Sequence, residues 1–225
     1  MLVGGATVEL WITDPAAPEF RPTADVDVVV EIATLVEFHR FEGRLREKRF
    51  EHDQESGVIC RFKHPDAPAL LLDVMPTQAA ILGFENRWQS EAFAHATGVT
   101  LPSGQSIRAI PPAFLLATKL EAFETRGKGD FHGSRDFEDI ITLIDGRKEL
   151  PGEMAAAPRA LREYVSEKLR GLRANASFAS GVQGALLPTA ETQERAELVV
   201  KPRIEAIVGA GRAEPGAPGA AQPLR

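Results

Sequence analysis

Hydrophobic residues recur along this chain with two different periods, and the places where one gives way to the other mark its elements. A short strand ends at Val3, and Ala6 to Ile12 reads as a helix. Asp25 to Glu31 is a valine-rich strand in which Val26, Val28, Val29 and Val30 leave neither face polar, so the pattern predicts cover on both sides. A helix follows over Thr34 to Lys48. Val58 to Phe62 and Leu70 to Met75 read as two further strands, with Lys63 to Pro68 as the loop between them. Ala92 to Ala96 reads as helical, and Gly98 to Ile110 as two strands about the turn Pro102-Ser103-Gly104.

Beyond residue 110 the helical period takes over. Pro111 and Pro112 open a helix, because proline suits a first turn. Leu116, Leu120 and Phe123 form its buried stripe, and Lys119, Ala122 and Arg126 line the neighbouring face. Lys119 thus sits where an ammonium either reaches a cleft or lies along the surface. Ser134 is an N-cap for a helix whose apolar face is Phe137, Ile140, Ile141 and Ile144. Asp136 and Glu138 fall in its first turn, where acids are favoured by the helix dipole, and Asp139 can pair with Arg135. Pro158 to Leu172 and Glu191 to Val208 read as helices about a hinge near Gly181 to Pro188. The Gly-, Ala- and Pro-rich stretch after Val208 has nothing to pack and reads as a disordered tail. Strands alternating with helices, then helices alone, predict an α/β (α+β) chain with a mixed sheet and a helical C-terminal part.

Composition narrows the function without naming it. With 225 residues the chain is long enough for one substantial core or two small ones. No apolar run approaches a membrane span and Met1 to Gly5 is no signal peptide, so a cytoplasmic protein without a membrane partner is expected. A net charge of −6 argues against nucleic-acid binding over the whole surface but leaves a local basic groove open. Arg159, Arg162, Lys168, Arg170 and Arg173 gather in one stretch, yet Glu163 and Glu167 interleave with them, which predicts a solvated helix face. The lone Cys60 excludes an intramolecular disulfide and a thiolate zinc cluster, and reads as a small strand residue. The five histidines show no paired metal spacing, and His132 reads as a loop residue. Trp88 and Phe84 read as core or rim, with stacking of Trp88 or Arg87 on a base as the alternative.

Three acids carry the candidate chemistry. Asp25 and Asp27 share one face of their strand, about 7 Å apart along the backbone. Two neighbouring carboxylates repel unless a cation lies between them, which points to a divalent metal, although a solvated or turn-capping pair fits the same two residues. Asp73 interrupts the apolar run Leu70-Leu71-Leu72 in the same way. Two acids on one strand and a third on another match what a two-metal phosphoryl-transfer site requires.

Gly4-Gly5, a helix, Asp25-Val26-Asp27 on a strand and a later strand Asp73 resemble the nucleotidyltransferase superfamily with the polymerase-beta-like fold. Phe114 to Arg126, followed by Ser134-Arg135-Asp136-Phe137-Glu138-Asp139, is similar to its abortive-infection toxin branch (AbiEii/AbiGii-like). The resemblance spans roughly residues 3 to 145. It implies that Asp25 and Asp27 hold two Mg²⁺ or Mn²⁺ ions, and that Asp73 completes one metal site and helps activate the acceptor hydroxyl. Gly4 and Gly5 would admit the triphosphate to a helix N-terminus. Lys119 would reach the nucleotide phosphates, and Asp136 matches an active-site position. Many members carry Ser where this chain has Gly5, so a hydroxyl contact to phosphate is either missing or supplied by Thr7. The stretch Asp14 to Pro22 reads as an inserted loop, and a preceding segment common in the family is expected to be missing here.

The implied organisation is a nucleotidyltransferase core over 1–110, a helical subdomain over 111–208 completing the cleft, and a tail over 209–225. The implied activity is transfer of a nucleoside monophosphate from an NTP to a hydroxyl of RNA, such as a tRNA 3′ end, or of a protein. A toxin-antitoxin or phage-defence setting with a cognate antitoxin goes with it. The rival reading is a catalytically silent relative that binds a nucleotide or partner as an antitoxin or regulator.

Overall fold

The computed structural model describes residues 1–211 apart from 20, 22, 24, 79–80 and 82–85. Strand β1 (Leu2–Val3) leads into two 3₁₀ turns, Gly5–Thr7 and Glu9–Trp11. These replace the helix expected over Ala6 to Ile12. A seven-residue segment is too short to hold an α-helix by itself. Its backbone N–H groups reach back three residues, the Thr7 hydroxyl donates to the Gly4 carbonyl at 2.7 Å, and burial of Thr7, Val8 and Trp11 fixes the result.

Strand β2 (Asp25–Val30) is followed by helix α1 (Leu35–Glu47). Thr34 starts that helix with a capping box, its hydroxyl accepting from the Glu37 N–H while the Glu37 carboxylate accepts from the Thr34 N–H. Next come β3 (Glu51–His52), β4 (Arg61–His64) and β5 (Ala67–Pro76). The expected strand at Val58 begins only at Arg61, and the expected loop over 63–68 shrinks to a tight link, because β4 and β5 form an antiparallel hairpin with His64 opposite Ala67. The sequence pattern does not show β3, whose two residues are both exposed.

Helix α2 (Gln89–Ala94) begins and ends earlier than its apolar residues suggested, and β6 (Thr97–Thr100) and β7 (Ser106–Ala109) form the expected hairpin. Gly104, with φ of 83°, supplies its turn. The Phe84 reading lies outside the described residues. Trp88 is buried against Tyr164, with ring centroids 5.1 Å apart, and Arg87 lies over the same tyrosine. Trp88 is therefore held in packing and not offered to a base, whereas the Arg87 side chain remains largely exposed.

Helices α3 (Pro112–Thr125) and α4 (Arg135–Gly146) start where the prolines and Ser134 indicated. Then follow α5 (Leu150–Ala156), α6 (Arg159–Arg173), α7 (Phe178–Ala185), α8 (Ala190–Arg195), a π-helical turn (Ala196–Val200) and α9 (Lys201–Ala210). Helix α7 occupies part of the expected hinge. Gly181 lets it close on Phe131 and Phe137, since an added Cβ would meet the Phe131 Cβ at 2.7 Å. Residues 212–225, most of the expected tail, lie outside the described residues, and no described helix is long and apolar enough to cross a membrane.

Among the described residues the strands form one mixed sheet in the order β3-β4-β5-β2-β1-β7-β6. β2 runs parallel to β5, and β1 parallel to β7; the other neighbours are antiparallel. Alternation puts Asp25, Asp27 and Val29 on one face and Val26, Val28 and Val30 on the other. Helix α1 covers the second face, where Val28 and Val30 pack with Phe38, Leu45, Phe62 and Val74. On the first face Val3 and Val29 join a larger core with Leu116, Leu120 and Ile141 from α3 and α4. Cover on both faces holds, but within β2 only Val29 is fully buried. Asp27 therefore faces α3 from the rim of the larger core.

Candidate active site

Pairing along the sheet assembles the acids. β2 and β5 run parallel with Asp27 directly beside Asp73, and β1 places Val3 opposite Asp27 on the other side. The chain then turns at Gly4, whose φ of 74° favours glycine and whose missing Cβ leaves room for the Asp27 carboxylate. Gly4, Asp27 and Asp73, with Lys119 and Arg126 of the α3 side, line a cavity of about 360 Å³. Asp25 lies two residues along the same face and adds its repulsion to Asp27 without lining the cavity.

The charges are unevenly matched. Among the described residues the Asp27 carboxylate makes no hydrogen bond. Burial, then the negative charges of Asp73 and Asp25, push its pKa up to about 6, against the pull of Lys119 and Arg126. Asp73 has its own cation, for the Arg61 guanidinium donates to its two oxygens at 2.8 and 2.7 Å. That hydrogen bond raises the Arg61 pKa still further. Cys60 beside it is buried, and burial followed by the Asp73 charge pushes its thiol up to about 11, which makes it unreactive.

A second polar layer lies behind the first. Lys119 is 6% exposed, far from the snorkelling geometry of a surface lysine. Its ammonium is held at 3.0 Å from Asp136 and 2.5 Å from Asp139. Arg126 donates to both oxygens of Asp136 at 2.7 Å. Burial alone would raise the Asp136 pKa, but the Arg126 hydrogen bonds and the Lys119 charge outweigh it and hold the carboxyl below its usual range. Arg21, from the loop expected as an insertion, reaches Glu138 at 3.1 Å and Asp139 at 3.7 Å. The pairing expected between Asp139 and Arg135 is thereby replaced. Asp139 is 2% exposed and turns inward, where the longer-range partner Lys119 is also buried.

Of the residues singled out from sequence, Gly4, Asp27, Asp73 and Lys119 meet around one cavity, and Asp136 backs Lys119 from the neighbouring one. Gly5 lies behind them, its Cα close enough to Asp139 that an added Cβ would stand 3.3 Å from the carboxylate. Thr7 is fully buried with its hydroxyl spent on the Gly4 carbonyl, so it braces the turn and is not turned toward a phosphate. Sequence reasoning missed Arg61 and the cavity-lining Asn86 and Gln89. The hairpin register would have found Arg61, which is the direct partner of Asp73. No periodic signal marks the other two.

Asp27 suits a divalent cation in its chemistry, being a half-buried carboxylate whose charge nothing bonds, with a second carboxylate in register beside it. Asp73 could contribute only as Arg61 yields. Among the described residues no three His, Cys, Asp or Glu side chains converge as a ready metal-ligand group. The basic residues of α6, expected to form a solvated face laced with ion pairs, are largely paired, Arg159 with Glu163 at 2.7 Å, Lys168 with Glu124 at 2.6 Å and Arg173 with Glu205 at 3.4 Å. A scan against protein-family models and a search of curated proteins found no match for this chain.

Proposed function

We propose that this chain is a metal-dependent nucleotidyltransferase of the polymerase-beta-like type, moving a nucleoside monophosphate from an NTP to a hydroxyl of RNA or protein, with pyrophosphate leaving. One observation carries the reading: Asp27 and Asp73 stand in register on parallel neighbours, facing Gly4, Lys119 and Arg126 across one cavity. Acids and bases in that arrangement suit a polyphosphate with its counter-ion. A hydrophobic-ligand pocket would need neither.

Each residue has a defined task in this reading. Gly4 lets the backbone approach the phosphates without a side chain in the way. Lys119 and Arg126 supply fixed positive charge toward the oxygens on which negative charge grows, and their pairing with Asp136 and Asp139 holds them oriented beforehand. Asp27, with Asp73 and Asp25, would hold Mg²⁺ or Mn²⁺. Such an ion, when bound, neutralises phosphate charge and makes the acceptor hydroxyl more acidic. The abortive-infection toxin branch, with a cognate antitoxin as partner, is the setting we propose.

The silent-binder reading draws on one observation, the Arg61 guanidinium on both oxygens of Asp73. A single assay separates the two. Each labelled NTP is incubated with Mg²⁺ or Mn²⁺, total RNA or lysate, and the protein or its Asp25→Ala/Asp27→Ala variant. Label transferred by the parent alone is the expected result; transfer by both removes the mechanism, and transfer by neither favours the binder.

A further inference from the structure

One row of side chains crosses four strands on the face that bears Asp27. Register sets Val3 of β1, Asp27 of β2, Asp73 of β5 and Arg61 of β4 side by side, at an interstrand spacing of about 4.8 Å. The two carboxylates in the middle thus have an apolar neighbour on one flank and a base on the other. Arg61 meets Asp73 as a fork, its Nε donating to one oxygen at 2.8 Å and its Nη2 to the other at 2.7 Å. Both side chains are largely shut from solvent, at 18% and 11% exposure, so the pair is screened little. The next residue on that face of β4, Lys63, is committed elsewhere, to Asp53 at 2.9 Å and Glu55 at 3.5 Å. Among the described residues Arg61 is the only cation bonded to Asp73.

An ion that bridges Asp27 and Asp73 has to share Asp73 with this guanidinium. Asp27 brings an unbonded carboxylate to the bridge, whereas both oxygens of Asp73 are taken. A divalent cation and a guanidinium close together on one buried carboxylate repel strongly, since the low local dielectric magnifies the force between their charges. Arg61 is built to give way at its tip. Its backbone is pinned, the N–H on the Val58 carbonyl at 3.2 Å and the carbonyl taken by the Asp53 N–H at 2.9 Å. Its side chain is long, unbranched and turns about several single bonds, and the charges of Asp25 and Asp53 also attract it. The guanidinium can therefore leave Asp73 without disturbing the hairpin.

We infer that Arg61 is a built-in competitor of the divalent ion: its guanidinium and the ion claim the same carboxylate, Asp73, and the ion bridges Asp73 to Asp27 only as the guanidinium swings off. The inference rests on the metal-dependent reading of this site. Free metal is then held weakly. The ion is retained when a polyphosphate brings oxygen ligands of its own and a negative charge that the released guanidinium can face.

The test follows Mn²⁺ binding to the full chain by the spin-resonance signal of the free ion, with no nucleotide present. Arg61→Met keeps much of the stem and loses the charge, and it binds Mn²⁺ tighter than the parent by about tenfold or more. Adding Asp73→Asn to that variant removes the gain. Lys63→Met, which takes the same charge from the same face without touching Asp73, changes the affinity by less than about twofold. An equal gain in Lys63→Met, equal affinities of parent and Arg61→Met, or weaker binding by Arg61→Met overturns the competition and leaves the metal-dependent reading standing. No Mn²⁺ bound by any of these chains, with or without added tripolyphosphate, overturns both. Should Arg61→Met fail to fold, the parent decides by nuclear magnetic resonance. Its Arg61 Nε–H signal, assigned by its loss in Arg61→Lys, exchanges slowly with solvent while Asp73 holds it and quickly at saturating Mg²⁺; slow exchange that persists at saturation overturns the inference.

Discussion

At Gly4 two constraints coincide, a backbone φ of 74° and a space already filled by the Asp27 carboxylate. Alanine there would carry about 1–3 kcal/mol of backbone strain, and its Cβ would overlap the Asp27 carboxylate and push it aside. Gly4→Ala is expected to lower the urea midpoint and to abolish label transfer; a variant with parental stability and transfer would count against the site. Asp27 itself makes stability depend on pH. Its folded pKa of about 6 lies above the unfolded value of about 3.9, so the folded chain holds this proton more tightly. The contribution is present in full below about pH 4 and is lost as pH rises through 6. Asp27→Asn should match the parent at pH 4 and exceed it at pH 8 by roughly 2–3 kcal/mol in the absence of divalent ions, read by urea unfolding. Equal stabilities at both pH values would contradict the charge crowding. Asp27 and Asp73 were legible in the sequence because acids stand out in apolar strands, and Gly4 through the resemblance that its glycine pair carries. Arg61 was not, since a charge beside an unrecognised hairpin looks like any surface charge.

Helix boundaries show what local chemistry can encode. Thr34 and Ser134 both cap where the sequence suggests a start, and Thr34→Ala should cost about 0.5–2 kcal/mol by removing one half of a capping box. The 3₁₀ turns after β1 were not readable, because their form follows from burying Trp11 and Val8 against distant residues. A cluster of charges in the helical half was equally hidden. Arg195 donates to Asp145 at 2.9 Å and to Asp14 at 3.1 Å, and Arg203 reaches Asp14 at 3.2 Å. It ties α8 and α9 to the loop after Trp11 and to the end of α4. Burial followed by the arginine hydrogen bonds sets Asp145, whose pKa rises, whereas Asp14 is lowered to about 2 because its backbone and arginine hydrogen bonds overcome burial. Arg195→Ala strands the buried Asp145 carboxylate, while Asp14 keeps Arg203, and should destabilise by about 3–5 kcal/mol in urea unfolding. A loss under 1 kcal/mol would mean the cluster holds little.

The whole molecule places a mixed sheet between α1 on one face and the helices from α3 onward on the other, with the cavity at the junction of sheet and α3. The alternation of strands and helices foretold the mixed sheet, and the order of strands came only with the structure, because pairing between β2 and β5 joins residues 46 positions apart, such as Asp27 and Asp73. The depth of Lys119 came the same way: its place beside a buried stripe was visible, its enclosure by Asp136 and Asp139 was not. The account's central claim is that Asp27 and its neighbours transfer a nucleotide and release pyrophosphate. The most direct test counts pyrophosphate released against nucleoside monophosphate attached to acceptor, for the parent and for Asp27→Asn confirmed folded by its melting curve. The account predicts one pyrophosphate per nucleotide attached by the parent and neither product from the variant; phosphate or nucleoside diphosphate in place of pyrophosphate, or undiminished transfer by Asp27→Asn, would contradict it.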